Sequence, residues 1–458
     1  VLKEQQISVA RNQFPLDFAW GVATAAYQIE GATVEDGRKP SIWDTFSATP
    51  GKTYDNQTGD IACDHYHLYK EDVKLMRELG LNSYRFSISW SRVIPQGRGV
   101  VNQAGLDFYD NLVNELLANG IEPYVTLYHW DLPQVLQDQG GWKVRETAEA
   151  FAEYVEVVTA RLGDRVKGWI TLNEPWVAAV NGHIIGEHAP GETDLETGVR
   201  AAHHLLLAHG LALPVIRKNM RRPDAEVGIT LSTTYVEPGN ETEEAKSLAG
   251  MVDVISNRWF LDPLFKGAYP AEMLESFLAP MFPIQPGDMK IISRKVDFLG
   301  INYYFRTMPV AIEDLATFTL KMHRPEDSVY TAMDWEVYPQ GLYKLLTRIH
   351  SEYQPAKLFI TENGAAFEDI LMEQGTKLVV HDPARTSYLM QHFHAASEAI
   401  KDGVPLAGYF IWSLYDNFEW SFGTSKRFGI VYLDYPTQRR IVKDSGYWYQ
   451  QFLKGEAS

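Results

Sequence analysis

The chain of 458 residues carries a single cysteine, Cys63. That excludes an internal disulfide framework and any multi-cysteine metal cluster, and it fits a reducing compartment. Basic charge is scarce: 42 Lys and Arg face 59 Asp and Glu, for a formal net charge of −17. No basic face can offset phosphate repulsion, so nucleic acid is excluded as a partner. No apolar run approaches the ~18–20 residues that span a bilayer, so no membrane partner is expected. There is no Ser/Gly tract, Pro-rich run, charge block or short repeat, hence no linker that divides the chain. The expectation is a cytoplasmic protein built as one continuous domain, residues 14–454, behind an N-terminal extension of residues 1–13. The first residue is Val1 rather than Met, which leaves earlier trimming and secretion open.

What is present is a core-forming composition, 45% apolar and 22% charged, the balance of a globular protein. Aromatic residues make up 12%, and many stand beside Asn, Glu, His or Gln. Core packing accounts for most of them. Sugar sites need the same mixture, flat apolar faces for C–H groups and polar side chains for hydroxyls. Eight short runs rich in apolar, β-branched and aromatic residues recur: 18–24, 83–88, 122–128, 167–172, 226–231, 297–303, 357–361 and 406–412. Near-continuous apolar strands mark a parallel sheet buried on both faces. Helical patterns lie between them. Leu106, Tyr109, Leu112, Val113, Leu116 and Leu117 share one face of a helix over 104–119, with Asn102 placed to cap it and Gly120 to end it. Helices over 66–79, 146–162 and 384–402 stop at Gly80, Gly163 and Gly403. The alternation predicts an α/β fold, a single (β/α)8 TIM barrel, with long connections after the first, fourth, fifth and sixth strands building a deep pocket. The rival, an open doubly wound sheet, wants a Gly-rich phosphate turn after an early strand, and the sequence has none.

Polar residues gather at the carboxyl ends of the strands, the face that carries the active site in such barrels. Arg85 lies in the second strand's end. His129 and Trp130 follow the third, Asn173 and Glu174 the fourth. Asn302 and Tyr304 close the sixth, Glu362 and Asn363 the seventh. Trp412 ends the eighth, with Glu419 and Trp420 just beyond. Charged groups there are costly unless paired or used. Glu174, in Thr171-Leu-Asn-Glu-Pro175, and Glu362, in Ile360-Thr-Glu-Asn-Gly364, belong to strands that face each other across an eight-stranded ring. Opposed carboxylates flanking a pocket are what glycosidic cleavage requires. One donates a proton to the leaving oxygen; the other attacks the anomeric carbon or activates water. Taken singly, each reads equally well as a structural ion-pair member.

Further stretches join these two motifs in order: Phe18-Ala-Trp-Gly-Val-Ala-Thr-Ala-Ala-Tyr-Gln-Ile-Glu-Gly31, Ser41-Ile-Trp-Asp-Thr-Phe46, Tyr84-Arg-Phe-Ser-Ile-Ser-Trp90, Asn302-Tyr-Tyr304 and Asp416-Asn-Phe-Glu-Trp420. With them the chain resembles the β-glucosidases of glycoside hydrolase family 1 from about Phe14 to Phe452. The resemblance implies a retaining, exo-acting β-glucosidase working by double displacement, without metal or organic cofactor. Its partners would be small β-glycosides and short oligosaccharides: cellobiose, cello-oligosaccharides, aryl β-glucosides, and also β-galactosides and β-fucosides. The resemblance implies Glu174 as acid/base and Glu362 as nucleophile. Gln28, His129, Asn173, Glu419 and Trp420 would bind hydroxyls of the non-reducing sugar, with Trp412 stacked under its ring and Phe428 beside it. Asn302 and Tyr304 would steady the nucleophile, with Arg85 as its charge partner. Trp176 and Trp335 would line the leaving-group site. Arg85 and a Tyr304 hydrogen bond are then expected to lower the pKa of Glu362, and the charge of Glu362 to raise that of Glu174.

Other readings compete. A 6-phospho-β-glucosidase of the same family resembles the chain in both glutamates, but replaces the residue at Glu419 and uses a Ser, a Lys and a Tyr in the following loop. Here Glu419 would repel a phosphate, Lys426 matches the lysine, and Phe428 stands where the tyrosine is needed. A catalytically silent sugar-binding protein on the same fold would lack one glutamate. A nucleotide-dependent oxidoreductase would need the missing phosphate loop. His65 and His67 have the alternate spacing of metal ligands, but no third ligand accompanies them. His203, His204 and His209 read as packing or solvated positions on a helix. Trp176, Trp335, Trp412 and Trp420 each read singly as core.

Overall fold

The computed structural model describes residues 8–314 and 319–456. Eight parallel strands close a barrel: β1 Ala19–Ala23, β2 Ser83–Ser87, β3 Glu122–Thr126, β4 Gly168–Asn173, β5 Glu226–Ser232, β6 Phe298–Asn302, β7 Leu358–Asn363 and β8 Leu406–Trp412. Each pairs with its neighbours in sequence, and β1 closes the ring on β8 from Ala19–Gly408 to Ala23–Trp412. All eight coincide with the predicted runs to within two residues. A strand covered on both faces needs no polar alternation, and β2, β4, β6 and β7 are buried at every position.

Aromatic rings plug the lumen. Tyr124 of β3 meets Phe359 of β7 and Phe410 of β8, with centroids 5.6 and 5.0 Å apart. Strands β3 and β7 are not neighbours, so this contact crosses the interior. Glycine makes the room: a Cβ on Gly168 would stand 2.2 Å from the Tyr124 ring, and one on Gly21 2.6 Å from that of Phe410. These rings precede the polar strand ends in sequence, so the plug lies beneath the carboxyl-terminal mouth and floors it.

The main helices are α1 His65–Glu78, α2 Gln103–Ala118, α3 Arg145–Leu162, α4 Leu195–Asn219, α5 Glu243–Asp253, α6 Trp259–Phe265, α7 Pro339–Tyr353, α8 Pro383–Lys401 and α9 Asp444–Lys454. Gly120 follows α2 at φ +74°, as a helix stop requires. Asn102 stands at the N-cap of α2, just ahead of Gln103, but its side chain does not cap the helix. Its Nδ2 donates instead to the carbonyls of Asp36 and Arg92, at 2.7 and 2.9 Å. Gly163 ends α3 for a packing reason, since a Cβ there would stand 2.1 Å from the Asn219 carbonyl oxygen.

Helix α4 corrects the expectation of no long apolar run. Among the described residues it is the one helix long and apolar enough to cross a membrane, 25 residues with a window of mean hydropathy 1.3. That window is 78% buried inside the protein, packed on α3, β4 and β5. Its histidines point inward. His203 Nε2 lies 3.0 Å from Asp288, His204 Nδ1 2.9 Å from the Trp142 carbonyl, and His209 Nδ1 2.7 Å from Thr171 Oγ1 on β4. The connections after β1, β4, β5 and β6 are long, as predicted. The connection after β8, residues 413–443, is long as well, and it carries Asn417, Glu419, Trp420 and Phe428.

Candidate active site

Glu174 stands between the last residue of β4 and a short helix, Pro175–Val180, that opens on proline. It takes φ 45°, ψ 64°, a left-handed conformation that costs a residue with a β-carbon about 1–2 kcal/mol. Its carboxyl is buried, and Oε1 accepts from Asn302 Nδ2 at 2.9 Å. Glu362, near the end of β7, is buried too. Its Oε1 accepts from Arg85 Nη1 at 2.7 Å, and its Oε2 from the Tyr304 hydroxyl at 2.7 Å. Arg85 also gives Nη2 to Asn173 Oδ1 at 2.6 Å, and that oxygen takes Asn302 Nδ2 at 3.1 Å. A chain of polar groups, Glu362–Arg85–Asn173–Asn302–Glu174, therefore joins the two carboxyls across the mouth. Asn302, expected on Glu362, does help hold that carboxylate's pKa down, and it also donates to Glu174 and Asn173. Its Oδ1 is held by Thr361 Oγ1 at 2.7 Å, which turns the amide nitrogen toward β4.

Burial is the largest influence on both carboxyls. It pushes Glu174 up to about 8, helped by the charge of Glu362 and opposed by Asn302 and Arg85. It raises Glu362 as well, against Arg85 and Tyr304, which pull it down. The expected net lowering of Glu362 is not found, because desolvating a fully buried carboxylate outweighs these partners. The partners still order the pair. Only Glu362 carries a bonded cation, so the first negative charge of the coupled pair settles there.

A third carboxyl, Glu419, is pushed to about 8 by burial and by the charge of Glu362, while Gln28 and Trp412 pull it down. Gln28 Nε2 donates to Asn417 Oδ1, the Phe418 carbonyl and Glu419, at 3.1, 2.8 and 3.4 Å. Its buried Oε1 has no partner. His129 accepts Asn173 Nδ2 at Nε2, 3.0 Å away, which puts its proton on Nδ1, also buried and unpartnered. Burial holds this ring neutral. Trp412 and Trp420 both lie with centroids 5.8 Å from it. A buried acceptor and a buried donor left free at one aromatic mouth suit a polyhydroxyl ligand.

The family model described as glycosyl hydrolase family 1 matches residues 10–457. The chain belongs to glycosyl hydrolase family 1. This family 1 enzyme is 49% identical over 444 residues to beta-glucosidase A of Thermotoga maritima, covering 97% of this chain and 98% of the relative. It is 44% identical to a bifunctional beta-D-glucosidase/beta-D-fucosidase of Bifidobacterium breve, over 96% of this chain and 98% of that one. The solved beta-glucosidase from Thermotoga maritima in complex with glucoimidazole matches with a TM-score of 0.92 at 49% identity, over 97% of this chain and 99% of that chain.

The family 1 enzyme has an aromatic wall beside Glu362. Trp335 lies 5.2 Å from the Tyr304 ring and 6.1 Å from that of Phe428, which is itself 6.2 Å from Tyr304. Trp176 is half-buried in the short helix after Glu174, and its Nε1 donates to the Ile255 carbonyl at 3.0 Å. Sequence reasoning missed the stack that supports Trp420: Tyr27 parallel to it at 6.5 Å, Trp43 at 4.5 Å and Trp130 at 4.7 Å. Trp130 also donates Nε1 to the Asn173 carbonyl at 2.9 Å. The available signal was adjacency, Tyr27 to Gln28 and Trp130 to His129. Lys426 Nζ donates to the Ala332 carbonyl at 2.6 Å. His65 pairs with Asp72, and His67 with Asp64 and Glu35. Among the described residues no group of three or more His, Cys, Asp or Glu side chains is placed to hold a metal ion.

Proposed function

We propose that the enzyme hydrolyses terminal non-reducing β-D-glucosyl residues of cellobiose, cello-oligosaccharides and aryl β-glucosides with retention, in two displacements. One observation carries the reading: of two buried carboxyls at facing strand ends, only Glu362 is bonded to a cation. Glu362, kept charged by Arg85 and oriented by Tyr304, attacks the anomeric carbon. The glycosyl ester forms as the Glu174 proton passes to the leaving oxygen. The raised pKa of Glu174 keeps that proton available at neutral pH. In the ester Glu362 has lost its charge, so Glu174 releases protons more readily. It then takes one from the attacking water, and the sugar leaves with Glu362 free again.

Gln28, His129, Asn173, Glu419 and Trp420 serve the glycone hydroxyls, Glu419 those at positions 4 and 6, and Trp412 serves the ring face. Trp335, Phe428 and Trp176 serve the leaving group. The bifunctional Bifidobacterium relative supports β-fucosides as further substrates, and β-galactosides share most of the same hydroxyls. Glu419, and a Lys426 already engaged by a carbonyl, favour the unphosphorylated sugar. The test is a panel of chromogenic β-glycosides, with and without 6-phosphate, run beside Glu362→Ala, with the first-formed anomer read by NMR. Turnover of the 4-nitrophenyl β-glucoside by the unmodified enzyme alone, with β-glucose released first, is expected. Undiminished turnover in Glu362→Ala, or α-glucose first, overturns the assignment.

A further inference from the structure

Behind the sugar-facing segment lies a buried charge cluster that the proposed chemistry does not use. Three cations, Arg385, Arg427 and Lys443, meet three carboxylates, Asp369, Asp382 and Asp416. Lys443 is the bridge. Its Nζ donates to Asp369 Oδ2 at 2.5 Å and to Asp416 Oδ1 at 2.7 Å, and all three side chains are fully buried. Asp416 also accepts from Arg427 Nη1 at 2.6 Å and from the backbone N–H groups of Gly429 and Leu433, at 3.0 and 3.3 Å. Asp369 receives both terminal nitrogens of Arg385, at 3.0 and 2.9 Å. Arg385 further binds the carbonyls of Ala365 and Arg427, at 3.1 and 2.8 Å.

A buried ion network is weak evidence for stability, because apolar replacements often do as well. Its worth here is geometric, since it joins two chain segments that end at the sugar. Ala365 and Asp369 continue the strand end that carries Glu362. Asp416 immediately precedes Asn417, which receives Gln28, and then Glu419 and Trp420. The backbone N–H groups on Asp416 hold the far end of the same loop, next to Phe428. Lys443 enters from a third segment, just ahead of α9, and touches neither Arg85 nor Tyr304 nor Glu174.

We propose that Lys443 is a positioning residue for sugar selection. By bridging Asp369 and Asp416 it holds the Glu419–Trp420 segment in register with Glu362. The inference rests on the reading of Glu419 as the contact for the 4- and 6-hydroxyls. When the bridge is lost, Glu419 and Trp420 shift together while the reacting carboxyls keep their partners. A glucoside, which carries the 6-hydroxymethyl arm, then loses more than a xyloside, which lacks it.

The experiment measures kcat and KM on 4-nitrophenyl β-glucoside and β-xyloside for the full chain and for Lys443→Met, Asp416→Asn and Glu419→Gln. Lys443→Met is expected to lower the glucoside-to-xyloside ratio of kcat/KM by about tenfold or more, within the range a small displacement far from the chemistry produces. The loss falls chiefly on KM for the glucoside. Asp416→Asn keeps the side-chain shape, is expected to lower the ratio in the same direction, and decides the matter if Lys443→Met does not accumulate folded. An unchanged ratio in these variants, including an equal loss on both substrates, overturns the proposal when Glu419→Gln still lowers the ratio. An unchanged ratio in Glu419→Gln overturns instead the reading of Glu419, and the proposal falls with it.

Discussion

The two mouths of the barrel are built from the same eight strands and hold opposite electrostatics. At the amino-terminal mouth a cavity of about 510 Å³ is lined by Asp17, Glu122, Tyr124, Lys167, Glu226 and Lys357, among others. Four of these charged groups, Glu122, Lys167, Glu226 and Lys357, are paired. Lys357 pairs with Glu226, Lys167 with Asp224 at 2.9 Å, and Glu122 with Arg222 at 2.5 Å. Such water-accessible pairs are each worth about 0–1 kcal/mol. At the carboxyl-terminal mouth Glu174 and Glu362 are buried and Glu419 is half-buried, beside one bonded guanidinium, that of Arg85, and Glu174 and Glu419 are pushed to about 8. The residue types at the two ends are alike. Burial separates them: with one guanidinium among three carboxyls, desolvation raises the pKa of each at the carboxyl-terminal mouth.

Removing the one carboxylate that holds a cation breaks the contrast most completely. Glu362→Ala is expected to cut glucoside turnover by at least about 10⁴-fold, comparable to the loss of other nucleophiles, with an unchanged circular dichroism spectrum. Next comes Glu174→Ala. It should slow cellobiose by about 10²–10⁴-fold, the usual worth of general acid catalysis, and largely spare formation of the glycosyl ester from a dinitrophenyl glucoside. Equal losses on both substrates would contradict proton donation by Glu174.

The pH dependence of kcat/KM sharpens the same point. On the alkaline side the rate should fall near pH 8, as Glu174 loses its proton. On the acid side it should fall as Glu362 gains one, above the ordinary carboxylate range because burial raises that group. A flat profile between about pH 4 and 9 would contradict a working pair of this kind. Arg85→Met removes the downward pull on Glu362, so the acid limb should move to higher pH, and an unmoved limb would mean the ion pair does not set the charge. The smallest effect belongs to the opposite mouth. Lys357→Met should leave kcat and KM unchanged and shift urea unfolding by no more than about 1 kcal/mol. A drop in kcat there would erase the distinction between the two ends.

The strands were legible because burial on both faces leaves a continuous apolar run, such as Leu358–Ile360, that needs no partner sequence to recognise. Glu174 and Glu362 were legible because each closes such a run with a charge. The tilt of Asn302 toward Glu174 was not, since Thr361 on the neighbouring strand sets it. Nor was the immersion of α4, whose composition alone is that of a helix able to cross a membrane. The stack of Tyr27, Trp43 and Trp130 on Trp420 comes from three connections that meet only after the ring closes.

The amino-acid sequence by itself determined how many strands the barrel has, their order, and which acidic residues close them, because those properties live in short windows of hydrophobic pattern. The motifs already pointed to Arg85 as the partner of Glu362; only the tertiary structure decided that desolvation outweighs that ion pair. Desolvation measures everything packed around a group, and here that shell is assembled from connections scattered along the whole chain.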